Sequence, residues 1–218
     1  SGVDTAGVPA TVDVLLVARP SEELPTRAAL AVDQYVMRGG RVLFALNRGR
    51  ANMRFGQART ADTGLEPLLR TYGLPIQANL VRDRNATPVQ MSEQRGGMNV
   101  VRRVRYPYIP QISNFAGHPI SSGLDQAVFR FVSSLDTTQA DSTAHLTVLA
   151  RSSAQSATTA LPTNIRPQRT WTSADFSGAS FPVAGLLEGS FASAFADADT
   201  LSVDRTQSPK TQMVVVGD

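Results

Sequence analysis

Apolar residues along this chain cluster in short runs divided by polar, glycine- and proline-containing segments, the spacing of buried strands that alternate with helices and loops. Residues 12–17, VDVLLV, predict a first central strand, closed by Ala18, Arg19 and Pro20. A helix is expected next: Glu22 and Glu23 favour a helix N-terminus, Pro25 suits a first turn, and Leu24, Ala28, Ala31, Val32 and Tyr35 recur at helical spacing. The segment 33–46, DQYVMRGGRVLFAL, carries the clearest signal. Its apolar helix face runs into Gly39 and Gly40, which can take the left-handed backbone that stops a helix, and 42–46 then form an unbroken apolar strand suited to burial on both faces. Strand, helix and strand in succession predict a parallel pair with a right-handed crossover.

The polar residues 47–52 predict a loop at the carboxyl end of the second strand, 64–72 a short helix stopped by Gly73, and 79–81 a third strand. The pattern then changes. Residues 89–93 and 100–108 flank Gly96 and Gly97 as a β-hairpin, with Pro107 and Pro110 at its end. Further strands are expected at 127–132, 146–150, 181–187 and 212–216, with 190–198 a helix or an exposed turn. Residues 152–169, rich in Ser, Ala, Thr and Pro, predict a long flexible surface loop. Together these elements predict a single α/β domain over 1–218. Its expected form is three-layered and flavodoxin-like: a mainly parallel sheet with helices on both faces, a hairpin insertion at about 84–110 and the loop at about 152–169.

Composition narrows the chemistry. The 218 residues are 42% hydrophobic, enough for a sizeable core in one domain. Lys210 is the only lysine, so the positive side of the +3 net charge is almost all arginine. With no cysteine, disulfides, thiolate metal sites and cysteine nucleophiles are excluded, and the redox compartment stays open. No apolar run approaches the roughly 20 residues that a membrane helix needs. The start lacks the basic and apolar regions of a secretory signal. Ser1-Gly2 and the abrupt, strand-like end at 213–218 suggest a soluble piece cut from a longer polypeptide, so an anchor outside these residues stays open.

Motifs for common catalysis are missing. A phosphate loop needs GxxxxGK[ST], whereas Lys210 stands in SPKT; a dinucleotide fingerprint needs GxGxxG, whereas the loop after the first strand reads ARPSEEL. His118, restricted by Pro119, and His145 have no second histidine or carboxylate at metal-ligand spacing, so neither a metal nor a cofactor is expected. The serine-hydrolase elbow GxSxG is approached by residues 178–182, GASFP, which lack its last glycine. No catalytic residue is assigned. Glu188 closes a strand beside Gly189, where it is either one of a pair of carboxylates brought together in space or a solvated strand end or ion-pair partner of an arginine.

If a small ligand binds, it is expected outside the carboxyl ends of the strands. The candidate ligand-binding residues are Arg19, Asn47, Arg48, Ser152, Ser153 and Glu188, whose donors suit a carboxylate, phosphate or sugar; strand-end loops also need polar residues for their own sake. Charge concentrates between residues 82 and 105, where six arginines stand against Asp83 and Glu93. Arg95, Arg102, Arg103 and Arg105, with Tyr106 and Tyr108, form a candidate partner-binding stripe for an acidic protein or membrane surface. The alternative is a solvated hairpin with arginines turned outward, and no motif for nucleic acid supports that partner.

Several longer segments match one family in order: VDVLLVARP (12–20), DQYVMRGGRVLFAL (33–46), LEPLLRTYGLPIQANLVRD (65–83), YPYIPQISNFAGHPI (106–120), VFRFVSSLD (128–136), VAGLLEGSF (183–191) and MVVVGD (213–218). On these segments the chain resembles the soluble domain of the gliding-motility-associated ABC-transporter auxiliary, or substrate-binding, family, GldG-like and described as an ABC-type uncharacterised transport component. The resemblance implies a periplasmic or extracytoplasmic domain of a membrane-anchored protein at the bacterial inner membrane. Its implied partners are the ABC permease and ATPase subunits of the same system, with a small solute or an envelope protein besides and no nucleic acid. It also implies a fold similar to class I glutamine-amidotransferase-like domains and to a domain of an intraflagellar transport subunit. The amidotransferase nucleophile is a cysteine, absent here, so the resemblance points to a non-catalytic auxiliary domain that binds a solute or partner, and it carries over no active-site residue. The competing expectation is a small-molecule or carbohydrate-active hydrolase that uses the strand-end loops with Glu188 or His118, for which two titratable groups must converge.

Overall fold

The computed structural model describes residues 7–95, 98–139, 144–176, 178–198 and 201–218, the side chains of 93–95 excepted. In chain order these form β1 (Val14–Ala18), α1 (Thr26–Met37), β2 (Arg41–Ala45), β3 (Gly49–Asn52), β4 (Gln57–Thr60), α2 (Glu66–Thr71) and β5 (Asn79–Asp83). The order continues with β6 (Ala86–Arg95), β7 (Met98–Ile112), β8 (Asn114–Phe115), β9 (Ala127–Val128), β10 (Ala144–Arg151), β11 (Ser156–Ala160), β12 (Thr163–Asn164), β13 (Pro182–Gly189) and β14 (Thr211–Val216).

The expected three-layer, mainly parallel, flavodoxin-like or amidotransferase-like architecture is not what the chain forms. Strands take 42% and helices 10%, spread over several small mixed or antiparallel sheets, so helices cannot cover both faces. The largest sheet runs β1-β2-β14-β13-β10-β8. Its β1-β2 and β2-β14 pairs are parallel, and the other three are antiparallel. An unbroken apolar run reports burial on two faces but not strand direction, and 181–187 and 212–216 pair antiparallel while satisfying the same pattern. The strand expected to be central, β1, lies at the sheet edge, where Val14 and Leu16 are 57% and 61% exposed.

The joint at Gly39 and Gly40 has a definite cause. Gly39 takes φ +92° and donates its N–H to the Val36 carbonyl at 2.8 Å, while the Gly40 N–H reaches the Tyr35 carbonyl at 2.9 Å, the paired bonds of a Schellman stop. A Cβ on Gly40 would stand 2.3 Å from the Tyr35 ring, so the second glycine serves packing. Helix α1 then lays Val32, Val36 and Met37, each 0% exposed, on the sheet beside Phe44, Leu187, Met213 and Val215. Burial of each such side chain stabilises by about 1.5–3 kcal/mol.

Within the same helix Asp33 is fully buried and ties down the segment after β13. Its carboxylate accepts from the Tyr72 hydroxyl at 2.9 Å, the Ser193 hydroxyl at 2.7 Å, the Ala194 N–H at 3.0 Å and the Gln34 amide at 3.0 Å. Gln34 in turn accepts the N–H groups of Asp204 and Arg205. Burial, then the nearby Asp33, raise the Tyr72 hydroxyl well above its ordinary value. Residues 190–198 are thus a pinned turn and not a helix.

The other sheet face is covered by strand and coil. Val81 of β5, Ile112 of β7 and Val132 pack on Leu149, Val183 and Leu186. A third core gathers Ala58, Leu80, Tyr106, Tyr108 and Ile165 between β3-β4-β12 and β5-β11. Residues 152–169, expected as a loop, therefore hold two strands: β11 pairs with β5 and β12 with β4, and Ala157 and Ile165 are buried. Residues 127–132 form a strand only at β9. Strands β6 and β7 pair antiparallel from Ala86 and Pro110 to Arg95 and Met98, and the expected turn at Gly96 and Gly97 lies outside the described residues.

Candidate functional site

The parallel strands β1, β2 and β14 all end on one side of the molecule, and the chain there opens into an arginine-lined basin. Arg19 follows β1 with φ +40°, and its N–H donates to the Ala45 carbonyl at 2.8 Å. Phe131, on the segment after β9, has φ +58° and donates its N–H to the Tyr108 carbonyl at 2.8 Å. These are the two non-glycine residues with left-handed backbone among the described residues, and both line the basin. Such a conformation costs roughly 1–2 kcal/mol per residue.

Asn47 lines the basin and braces it. Its side-chain oxygen accepts the Gly49 N–H at 2.7 Å and its amide donates to the Arg130 carbonyl at 3.1 Å, so the loop after β2 fixes the segment that carries Arg130. The cavity of about 480 Å³ is lined by Arg19, Asn47, Arg50, Arg130 and Phe131, among others. Arg50 donates to the Ser21 carbonyl. Asp218 accepts the Arg130 N–H at 2.9 Å; burial raises its carboxyl above the ordinary range, against the pull of Arg19 and Arg130.

The remaining sequence candidates lie elsewhere. Arg48 is turned into the body, bonded to Asp62 at 3.1 Å and Glu66 at 3.2 Å, where it fastens the start of α2. The Ser152 hydroxyl bonds Ser156 at 2.7 Å and accepts the Phe181 N–H at 2.8 Å. Ser153 donates its hydroxyl and N–H to the buried Asp83 at 2.7 and 2.6 Å. All three are used in structure. Glu188 stands at the end of the sheet where β14 begins, beside Lys210 and His145, and accepts from the Gln212 amide at 2.8 Å. His118 sits in the turn before Ile120, whose N–H it accepts at 3.2 Å. Glu188 and His118, the two alternatives for a hydrolase, occupy separate elements.

In the expected partner stripe, Tyr106 and Tyr108 are 0% and 1% exposed and pack edge to face at 5.8 Å, which removes them from any contact surface. Tyr106 donates to the Ile165 carbonyl, and burial, then Tyr108, raise its hydroxyl. Arg102, Arg103 and Arg105 are exposed on β7, beside Met98, Val100 and Val101 at 70%, 40% and 61% exposure. Arg95 ends β6, and its side chain is outside the described residues. Sequence patterning missed Arg50 and Arg130. Arg50 lies in an expected loop that is strand β3, and Arg130 is held at the basin by the bonds of its backbone to Asn47 and Asp218, which are distant in sequence.

Comparison with known proteins supplies the context. The family described as ABC-type uncharacterized transport system matches residues 2–218. The chain belongs to that family. As a member of the ABC-type uncharacterized transport system family it is an auxiliary component of such a system. No curated protein matches it. Among solved structures, the mmIFT52 N-terminal domain is similar at 15% identity and a TM-score of 0.46, over 96% of this chain and 67% of that one.

Proposed function

We propose that this family member is a non-catalytic, extracytoplasmic docking domain that holds an ABC permease, and through it the ATPase, by way of the β6-β7 ribbon. The resemblance of its sequence segments to the gliding-motility branch suggests the membrane-anchored setting and gliding as one task of the system. The observation that carries the docking role is the outer half of the ribbon. Two strands alone have no core of their own, and here both faces of the outer β7 stretch stand in solvent, with Met98, Val100 and Val101 followed directly by Arg102 and Arg103. Exposed apolar residues adjoining arginine match the composition of a protein interface, in which Met and Arg are enriched and lysine depleted.

Co-isolation from membranes tests this. The full-length protein carrying Met98→Ser, Val101→Ser and Arg103→Ser is expected to lose most of the permease and ATPase that the unaltered protein retains, at unchanged abundance. Equal recovery with the altered ribbon defeats the docking role.

A further inference from the structure

We propose that the basin at the carboxyl ends of β1, β2 and β14 binds a small ligand through one oxyanion group, a phosphate or a carboxylate, held by Arg19, Arg50 and Arg130. This goes beyond the docking role and does not depend on it. Arg19, Arg50 and Arg130 line a cavity of about 480 Å³ whose lining contains no carboxylate; Asp218, which accepts the Arg130 N–H and interacts with the charges of Arg19 and Arg130, stands outside that lining. Each guanidinium offers a planar fork of donors that matches two oxygens of a phosphate or carboxylate.

The backbone supports the same assignment. Left-handed Arg19 and Phe131 flank the basin from two distant parts of the chain, and strain retained at non-glycine residues concentrates where ligands are clamped. Asn47 fixes the Arg130 segment before any ligand arrives, which lowers the ordering cost of binding.

The surroundings limit ligand size. An adjoining depression of about 880 Å³ shares Ser21 and Arg50 with the basin but carries Glu22, Glu23 and Asp62. A polyanion running out of the basin would meet those acids. A ligand with one anionic group and a neutral or cationic remainder fits both halves, whereas a nucleic-acid strand does not.

Titration calorimetry at fixed ionic strength tests the proposal, with inorganic phosphate in one arm and phosphatidylglycerol vesicles, against phosphatidylcholine vesicles, in the other. Arg130→Ala and Arg19→Gly are each expected to weaken binding about tenfold or more. Arg19→Gly also relieves the left-handed backbone, so its melting temperature should hold or rise, which separates lost binding from lost folding. Arg27→Ala, on the exposed side of α1, should bind like the unaltered chain. Saturable phosphate binding that falls in both variants supports a free oxyanion ligand; vesicle binding alone, with the same losses, supports a lipid headgroup. No saturable binding in either arm, or binding indifferent to both variants, overturns the proposal. The co-isolation result stands apart from each of these outcomes.

Discussion

Asp33 shows how a single residue can hold an otherwise irregular segment. Four donors converge on its buried carboxylate, two of them from Ser193 and Ala194 on the far side of the chain. Asp33→Ala leaves those donors unmet, and a loss of about 3 kcal/mol or more in urea unfolding is expected. Tyr72→Phe removes one bond and should cost about 1 kcal/mol. The helix-stop glycines were legible from sequence, since Gly-Gly after an apolar helix face has few other uses. The role of Asp33 was not, because Tyr72 lies 39 positions away in sequence and Ser193 and Ala194 lie 160 and 161. Asp136 adds a pH effect. The Thr138 hydroxyl and N–H, followed by Gln139 and Gln77, hold its carboxyl below the ordinary range. The folded-state value lies below the unfolded one, so this stabilisation is present above about pH 4 and lost as pH falls through the folded value. Carboxyl NMR titration should place Asp136 below a free aspartate, and Thr138→Ala should return it toward the ordinary range.

At the scale of elements, short apolar runs located strands better than they arranged them. The runs 42–46 and 212–216 lie side by side and parallel, but their neighbour 181–187 reverses direction, which apolar content alone cannot show. The strands β11 and β12 escaped notice because each is short and gains its place from a partner, β5 or β4, and not from its own hydrophobicity. Arg82 strengthens that pairing by donating to the Asp175 carbonyl at 2.8 Å and the Thr158 carbonyl at 3.1 Å. Arg82→Ala is therefore expected to destabilise by about 1–3 kcal/mol in chemical unfolding. The outer ribbon should behave in the opposite way. Its Met98 and Val101 are 70% and 61% exposed, so Met98→Ser with Val101→Ser should change the free energy of unfolding by no more than about 0.5 kcal/mol.

Across the whole molecule, the ribbon and the basin are built from different parts of the chain, so docking and ligand capture can be lost separately. Of the residues that the rule for ligands outside the carboxyl ends of parallel strands singles out, Arg19 and Asn47 line the basin, whereas Ser152 and Ser153 stand in structural bonds and Glu188 at another end of the sheet. The edge strand β1 leaves a second apolar surface at Val14 and Leu16, which gives the docking account a competitor within the same domain. Site-specific photo-crosslinking in membranes separates the two most directly, with a photoreactive residue placed at Val101 or at Leu16 of the full-length protein. The account predicts a permease adduct from position 101 and none from 16; an adduct from 16 alone, or no permease adduct from 101, would contradict it.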